Sequence, residues 1–197
     1  MIKIKNLTIK NFLSVGNVTQ GLRFDQHGLT LVLGNNLDLG GDGSRNGTGK
    51  TTIVNALSYV LYGNALTNIR KDNLINKTNT KNMLVTCEFD LNGTNYKIER
   101  GRKPNVLKFI INDNQVDSQD SEEQQGENKE TQEHIERTIG MSHDMFKHIA
   151  ALNTYTEPFL SLKANDQREI IEQLLGITQL SEKATLLKEL IKGTKDQ

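Results

Sequence analysis

Tryptophan is absent from this 197-residue chain, proline occurs twice and cysteine once, and aromatic residues amount to 5% of it. The single cysteine, Cys87, excludes an internal disulfide and fits a reducing compartment. His27, His134, His143 and His148 stand at none of the usual ligand spacings from it, so the sequence offers no zinc site. Cys87 therefore reads as a small core residue on a strand. An excess of charge is missing too: 24 Lys and Arg cancel 24 Asp and Glu. Attraction of the whole chain to nucleic acid as a polycation is excluded, and any such contact has to come from a local patch. Nothing approaches the roughly 20 apolar residues of a membrane helix. The opening MIKIKNLTIKNF alternates lysine with apolar residues, unlike a signal peptide. These absences predict a soluble intracellular chain without membrane contact, one domain with an appendage.

What is present begins with a strand. Ile2 and Ile4 alternate with Lys3 and Lys5, and Leu7 and Ile9 continue on the other parity, which predicts a bulge or twist near Asn6. Residues 29–33 (LTLVL) read as a strand buried on both faces. A Gly- and Asn-rich loop from Gly34 to Gly49 leads into TTIVNALSYVLYG. There Ile53, Val54, Ala56, Leu57, Val60 and Leu61 have helical spacing and Gly63 supplies the stop. Residues 83–91, 94–100 and 106–112 read as three strands, with turns at Asn92-Gly93 and around Lys103-Pro104-Asn105. Residues 113–133 are acidic, Gln-rich and poor in groups to bury, and read as a solvated or disordered loop. Helical patterns resume from Glu133. Ile135 and Ile139 end at Gly140, and Met145, Phe146, Ile149 and Ala150 carry the next helix. Ile170, Ile171, Leu174 and Leu175 carry a third, capped by Asn165 or Asp166 and closed by Gly176. Leu180, Ala184, Leu187 and Leu190 or Ile191 then fall on a seam of roughly 3.5 spacing, as at the start of a coiled coil. The expected class is α/β with antiparallel β additions, divided into 1–176 and a coiled-coil start at 177–197.

The strongest signal is Ser44-Arg45-Asn46-Gly47-Thr48-Gly49-Lys50-Thr51-Thr52, which from Gly47 onward fits the P-loop pattern G-x-x-x-x-G-K-[ST]. The residue types follow from the chemistry. Gly47 and Gly49, lacking Cβ, let backbone N–H groups curl around a β-phosphate. Lys50 places a cation between β- and γ-phosphates, and the Thr51 hydroxyl can ligate Mg²⁺. The helix that follows points its positive end at the anion. Asn46 to Thr52 are thus the candidate ATP-binding residues. The first glycine of the pattern is replaced by Ser44, and Gly34 ends the predicted strand where that glycine usually stands. Residues 35–44 then look inserted. Either Gly43-Ser44 forms the turn into the loop, or the insertion rides above the nucleotide as a flap; the plainer reading, which is preferred, is a tolerated surface loop. Small GTPases are excluded: Asp38-Leu39-Gly40-Gly41 spells D-x-x-G but precedes the loop, and Asn76-Lys77-Thr78-Asn79 lacks the final Asp of N-K-x-D.

Leu7-Thr8-Ile9-Lys10-Asn11-Phe12-Leu13-Ser14 followed by Asn46-Gly47-Thr48-Gly49-Lys50-Thr51 resembles the N-terminal lobe of SMC-like DNA-repair ATPases of the SbcC/Rad type, relatives of ABC ATPases. Leu74 to Asn79, Arg100 to Val106, and the stretch from Ile139-Gly140-Met141-Ser142 through Phe146, Pro158-Phe159 and Arg168 to Leu174-Leu175 are similar to large subunits of bacteriophage recombination endonucleases. The resemblance implies an ATPase head that pairs with a second head, uses ATP and Mg²⁺, and works with a nuclease subunit on DNA in the host cytoplasm. It further implies a C-terminal lobe carrying the Walker B acids, a signature serine and a switch histidine. None of these is in this sequence; MLVTCE (83–88) comes nearest to a Walker B, but Thr86 and Cys87 interrupt its apolar run and no second acid follows Glu88, so little hydrolysis is expected from this chain alone. Paired carboxylates and Ser-His-Asp sets are also missing, which assigns nuclease chemistry to a partner.

In place of the family's Q-loop glutamine, a Mg²⁺ ligand, stands Asn153, either a shorter amide ligand or a loop cap, and Leu13 stands where many relatives have an arginine. Lys97, Arg100, Arg102, Lys103 and Lys108 cluster around the hairpin turn, and Arg70, Lys71, Lys77 and Lys81 precede it. Arg100, Arg102 and Lys103 are the candidate contacts to the DNA backbone, against the alternative of a solvated strand face. Two other readings remain. A transport-type ABC lobe would place its Q-loop much nearer the P-loop than the roughly hundred residues from Lys50 to Asn153. A non-hydrolysing module would use nucleotide only as a ligand.

Overall fold

The computed structural model describes residues 2–26, 28–37, 45–117, 124–152, 156–177, 187 and 191, with the backbone alone described at 115–117 and 124–128. Contacts divide the chain into two units, Met1–Gly140 and Met141–Gln197.

The first unit is built on a six-stranded sheet, β2-β1-β3-β4-β5-β6, in which every neighbouring pair is antiparallel. The strands are β1 (Ile2–Lys10), β2 (Gln20–Arg23), β3 (Met83–Leu91), β4 (Thr94–Arg102), β5 (Val106–Ile111) and β6 (Asn114–Asp117). The bulge expected in β1 is present: its register on β3 shifts between Ile4 and Asn6. At Asn92 and Gly93 φ is 54° and 86°, the paired positive values of a two-residue hairpin turn. Period-two alternation gives the sheet one buried face, on which Val85, Cys87, Ile98 and Phe109 are each 0% exposed. Each such aliphatic or aromatic side chain contributes about 1.5–3 kcal/mol on leaving water.

Two helices cover that face. α1 (Lys50–Tyr62) packs on β3 and β4, and α2 (Gln124–Ile139) on β5 and α1. Every residue from Asn55 to Tyr62 is buried, with α1 packed against both the sheet and α2. Gly63 ends α1 in the left-handed region at φ 72°, its N–H bonded to the Tyr59 carbonyl at 2.7 Å.

Two sequence readings are corrected here. Residues 29–33 form no strand; Leu29 is fully exposed, and Leu31 and Leu33 are 76% and 60% exposed. Their composition is that of a doubly covered strand, but no strand described in this chain pairs with them. The acidic stretch 113–133, read as loop, instead holds β6 and most of α2. Asn112 and Asp113, both at positive φ, turn β5 into β6. α2 anchors itself through buried Thr131 and Ile135 and the edge of His134 against the Phe109 ring.

In the second unit, α3 (His143–Met145) starts at Ser142, whose hydroxyl accepts from Met145 N at 3.2 Å, and continues as a π-helical turn, Phe146–Ala150. α4 (Ala164–Leu174) begins one residue ahead of the expected caps. Asn165 and Asp166 lie inside its first turn, where the Asp166 carboxylate faces the positive helix end. Gly176 closes it at φ 67°. The predicted seam at 177–197 lies largely outside the described residues. No described helix is long and apolar enough to cross a membrane.

Candidate nucleotide-binding site

Residues 45–49 reach α1 through two glycines in the left-handed region, Gly47 at φ 76° and Gly49 at φ 81°, with Thr48 between them. Such a turn points successive N–H groups to one concave side, where they meet the free N–H groups of the helix start. Nothing in the first turn of α1 competes for that place. It carries no acid, and Gly49, the cap residue, provides no side chain. The region is therefore a positive cradle open to an anion.

The Lys50 ammonium folds back over this loop, donating to the Arg45 carbonyl and lying 3.4 Å from Thr48 Oγ1. A neutral carbonyl is a weaker partner for an ammonium than a phosphate oxygen, so an arriving triphosphate can draw the lysine across. Thr51 is exposed at the helix start, whereas Thr52 is buried, with Oγ1 2.8 Å from Ser14 Oγ. Asn46 holds the loop from the other side, its carbonyl accepting from Asn36 Nδ2 at 3.1 Å.

Gly34 answers the missing first glycine of the pattern. Its backbone lies against Thr48 so closely that a Cβ would overlap the Thr48 hydroxyl and stand 2.7 Å from Thr48 Cβ. Gly34 is thus the residue that lets the chain pass beneath the loop, and any side chain there pushes Thr48 out of place. The alternatives for the 35–44 insertion turn on residues 38–44, which lie outside the described residues, as does Asn153.

The three basic candidates separate. Strand alternation puts Arg100 and Arg102 on the same face as buried Ile98, toward the helices. Arg100 Nε donates to the Val60 carbonyl at 3.1 Å, its other nitrogen bonds Gln132 Oε1, and its guanidinium lies 5.9 Å from the Tyr59 ring centroid. Gln132 in turn donates to the Leu61 carbonyl at 3.2 Å. Arg100 therefore closes the negative end of α1. Burial pushes its guanidinium down to about 10, which leaves it charged at neutral pH. Arg102 pairs with Asp72 at 2.7 Å, an ion pair that holds the Asp72 carboxyl below the usual range. Arg100 is turned away from any phosphate backbone, whereas the Arg102 side chain stays partly exposed beside the exposed Asp72. Lys103 is exposed.

Sequence reasoning missed Ser14 and the asparagines that hold its turn. The signal was there: Ser14 closes the N-F-L-S segment, and Asn76 and Asn79 belong to the N-K-T-N segment.

Residues 6–197 match the family described as AAA domain. Exonuclease subunit 2 of Enterobacteria phage T4 is 34% identical over 191 residues, covering 96% of this chain and 31% of that protein. The DNA double-strand break repair Rad50 ATPase of Methanocaldococcus jannaschii is 28% identical over 194 residues, covering 96% of this chain and 17% of that protein. A solved Smc head domain with an extended coiled coil, bound to the C-terminal domain of ScpA and derived from Pyrococcus furiosus, aligns at a TM-score of 0.61 and 19% identity. That alignment spans 100% of this chain and 48% of the other, and it is a likeness of fold. The chain spans less than a third of the length of these two curated relatives.

Proposed function

The chain belongs to the AAA-domain family, and from that premise we propose that it is the N-terminal ATP-binding lobe of an SMC-like ATPase acting with a nuclease subunit in DNA recombination and double-strand-break end processing. The observation that carries this reading is the cradle of left-handed Gly47 and Gly49 at the acid-free start of α1, with Lys50 folded over it. The cradle fits a nucleotide tail. The N–H groups around Gly47 to Thr51 would hold the β-phosphate, and Lys50 would exchange the Arg45 carbonyl for β- and γ-phosphate oxygens. Asn46 and Thr48 shape the loop, and the exposed Thr51 hydroxyl is the proposed Mg²⁺ ligand, with Asn153 a second. The ion, when bound, neutralises charge on the phosphates.

No group described here would position an attacking water. Glu88, the acid of the Walker B-like stretch, lies in an antiparallel strand and accepts from Asn6 Nδ2 at 2.7 Å. The missing acids would come from a C-terminal lobe, and the bare apolar row Leu29, Leu31, Val32 and Leu33 is the surface proposed to receive it. Pairing with a second head would complete two such sites. Of the three basic candidates, Arg102 and Lys103 keep the proposed DNA-backbone role, and the assembly would act in the host cytoplasm.

The test is turnover. This chain alone is expected to bind ATP and release phosphate at the rate of a Lys50→Ala control, and to hydrolyse ATP once a C-terminal lobe is added. Robust hydrolysis by the chain alone would contradict the half-site reading. Absence of turnover with every added lobe would favour the non-hydrolysing module.

A further inference from the structure

We infer that Ser14 is a positioning residue for the phosphate grip, acting by turning the proton of the Thr52 hydroxyl toward the cradle. Thr52 is 5% exposed, and its Oγ1 lies 2.8 Å from Ser14 Oγ. A hydroxyl has one proton and two lone pairs. If Ser14 donates, Thr52 accepts on a lone pair and keeps its own proton for a third group. Both hydroxyls stand beside the cap glycine. A Cβ on Gly49 would overlap Ser14 Oγ and lie 3.7 Å from Thr52 Oγ1. The pair therefore borders the place where the loop N–H groups converge, and an anion there is the strongest available acceptor for that proton.

Ser14 is held for this task from behind. It sits in a turn where Asn11 and Leu13 have φ of 51° and 48°, a conformation that asparagine tolerates and leucine does not favour. Leu13 N donates to the Leu74 carbonyl at 2.7 Å, and the Leu13 carbonyl accepts from Asn76 Nδ2 at 2.9 Å. Asn79 Nδ2 donates to Asn11 Oδ1 at 2.8 Å, while Asn11 Nδ2 reaches the Lys81 carbonyl at 3.0 Å. Segments sixty and more residues apart thus fix a strained turn whose exposed serine aims at the first turn of α1.

This inference rests on the ATP-binding reading. A double-mutant cycle tests it, with ATP and inorganic pyrophosphate titrated calorimetrically into wild type, Ser14→Ala, Thr52→Val and the double variant. Ser14→Ala is expected to weaken both ligands about 5- to 10-fold, as for one ordinary hydrogen bond, because the Thr52 hydroxyl stays but is no longer oriented. Adding Ser14→Ala to Thr52→Val should cost nothing more, because the serine acts through the threonine. A merely structural serine would lower affinity equally in both backgrounds, and that result overturns the inference. So does unchanged affinity in Ser14→Ala when wild type binds and Lys50→Ala does not. Failure of the wild type to bind either ligand would overturn the ATP-binding reading and this inference with it.

Discussion

Lys50→Ala is expected to weaken ATP binding on the order of 100-fold, the loss of roughly 3 kcal/mol of charge-assisted bonding to phosphate oxygens. The fold should hardly notice. Lys50 is half-buried, and the contacts described for its ammonium are the Arg45 carbonyl and Thr48 Oγ1, both within the loop. Thermal melting without ligand should therefore match wild type, while the ligand-induced rise in Tm disappears. Calorimetric titration gives the affinity directly. Equal affinity in variant and wild type would mean that the lysine does not touch the nucleotide.

Arg100→Ala should have the opposite profile. The Val60 carbonyl and Gln132 Oε1 each lose a donor, the ring of Tyr59 loses a cation, and the negative end of α1 loses its counter-charge. Leaving such groups unpaired in a half-buried setting costs about 2–4 kcal/mol. For a unit of this size that corresponds to roughly 10 °C in Tm. Lys103→Ala, in the exposed turn that follows β4, should leave Tm unchanged and weaken DNA binding if the proposed backbone contact is real. The two melting curves separate the roles. Coincident curves would return Arg100 to the surface and restore the three basic residues as one patch.

That pair of variants also shows what was legible in the sequence. The parity that turns Arg100 inward is readable from Ile98, two residues earlier on β4, once the strand is accepted, while Lys103 falls in the turn beyond the end of the strand. Read as a cluster in sequence, the basic residues concealed it; read with period two, they divide between faces. β3, β4 and β5 were legible because alternation and the Asn92-Gly93 turn agree. α1 was legible because its apolar spacing and Gly63 agree.

Residues 29–33 were misread because local composition reports that a segment suits double cover, and not whether the covering groups are in this chain. α2 was misread for the opposite reason. Its attachment is sparse, resting on Ile135, Thr131, Gln132 and the His134 edge, too few apolar positions to stand out among Glu and Gln. The loop of the site was legible from Asn46 to Thr52, since its chemistry is concentrated in consecutive residues. The roles of Ser14 and Gly34 depend on contacts across 38 and 14 positions, which no local pattern carries.

The central claim is that the turn through Gly47 and Gly49 into α1 holds the tail of a nucleoside triphosphate. Amide resonances of the isotope-labelled chain, followed during titration with ATP and Mg²⁺, test it most directly. The account predicts large, saturable shifts at Gly47, Gly49, Lys50 and Thr51, with the β3–β4 hairpin turn at Asn92-Gly93 unmoved. Saturable shifts elsewhere while these four amides stay still would contradict it.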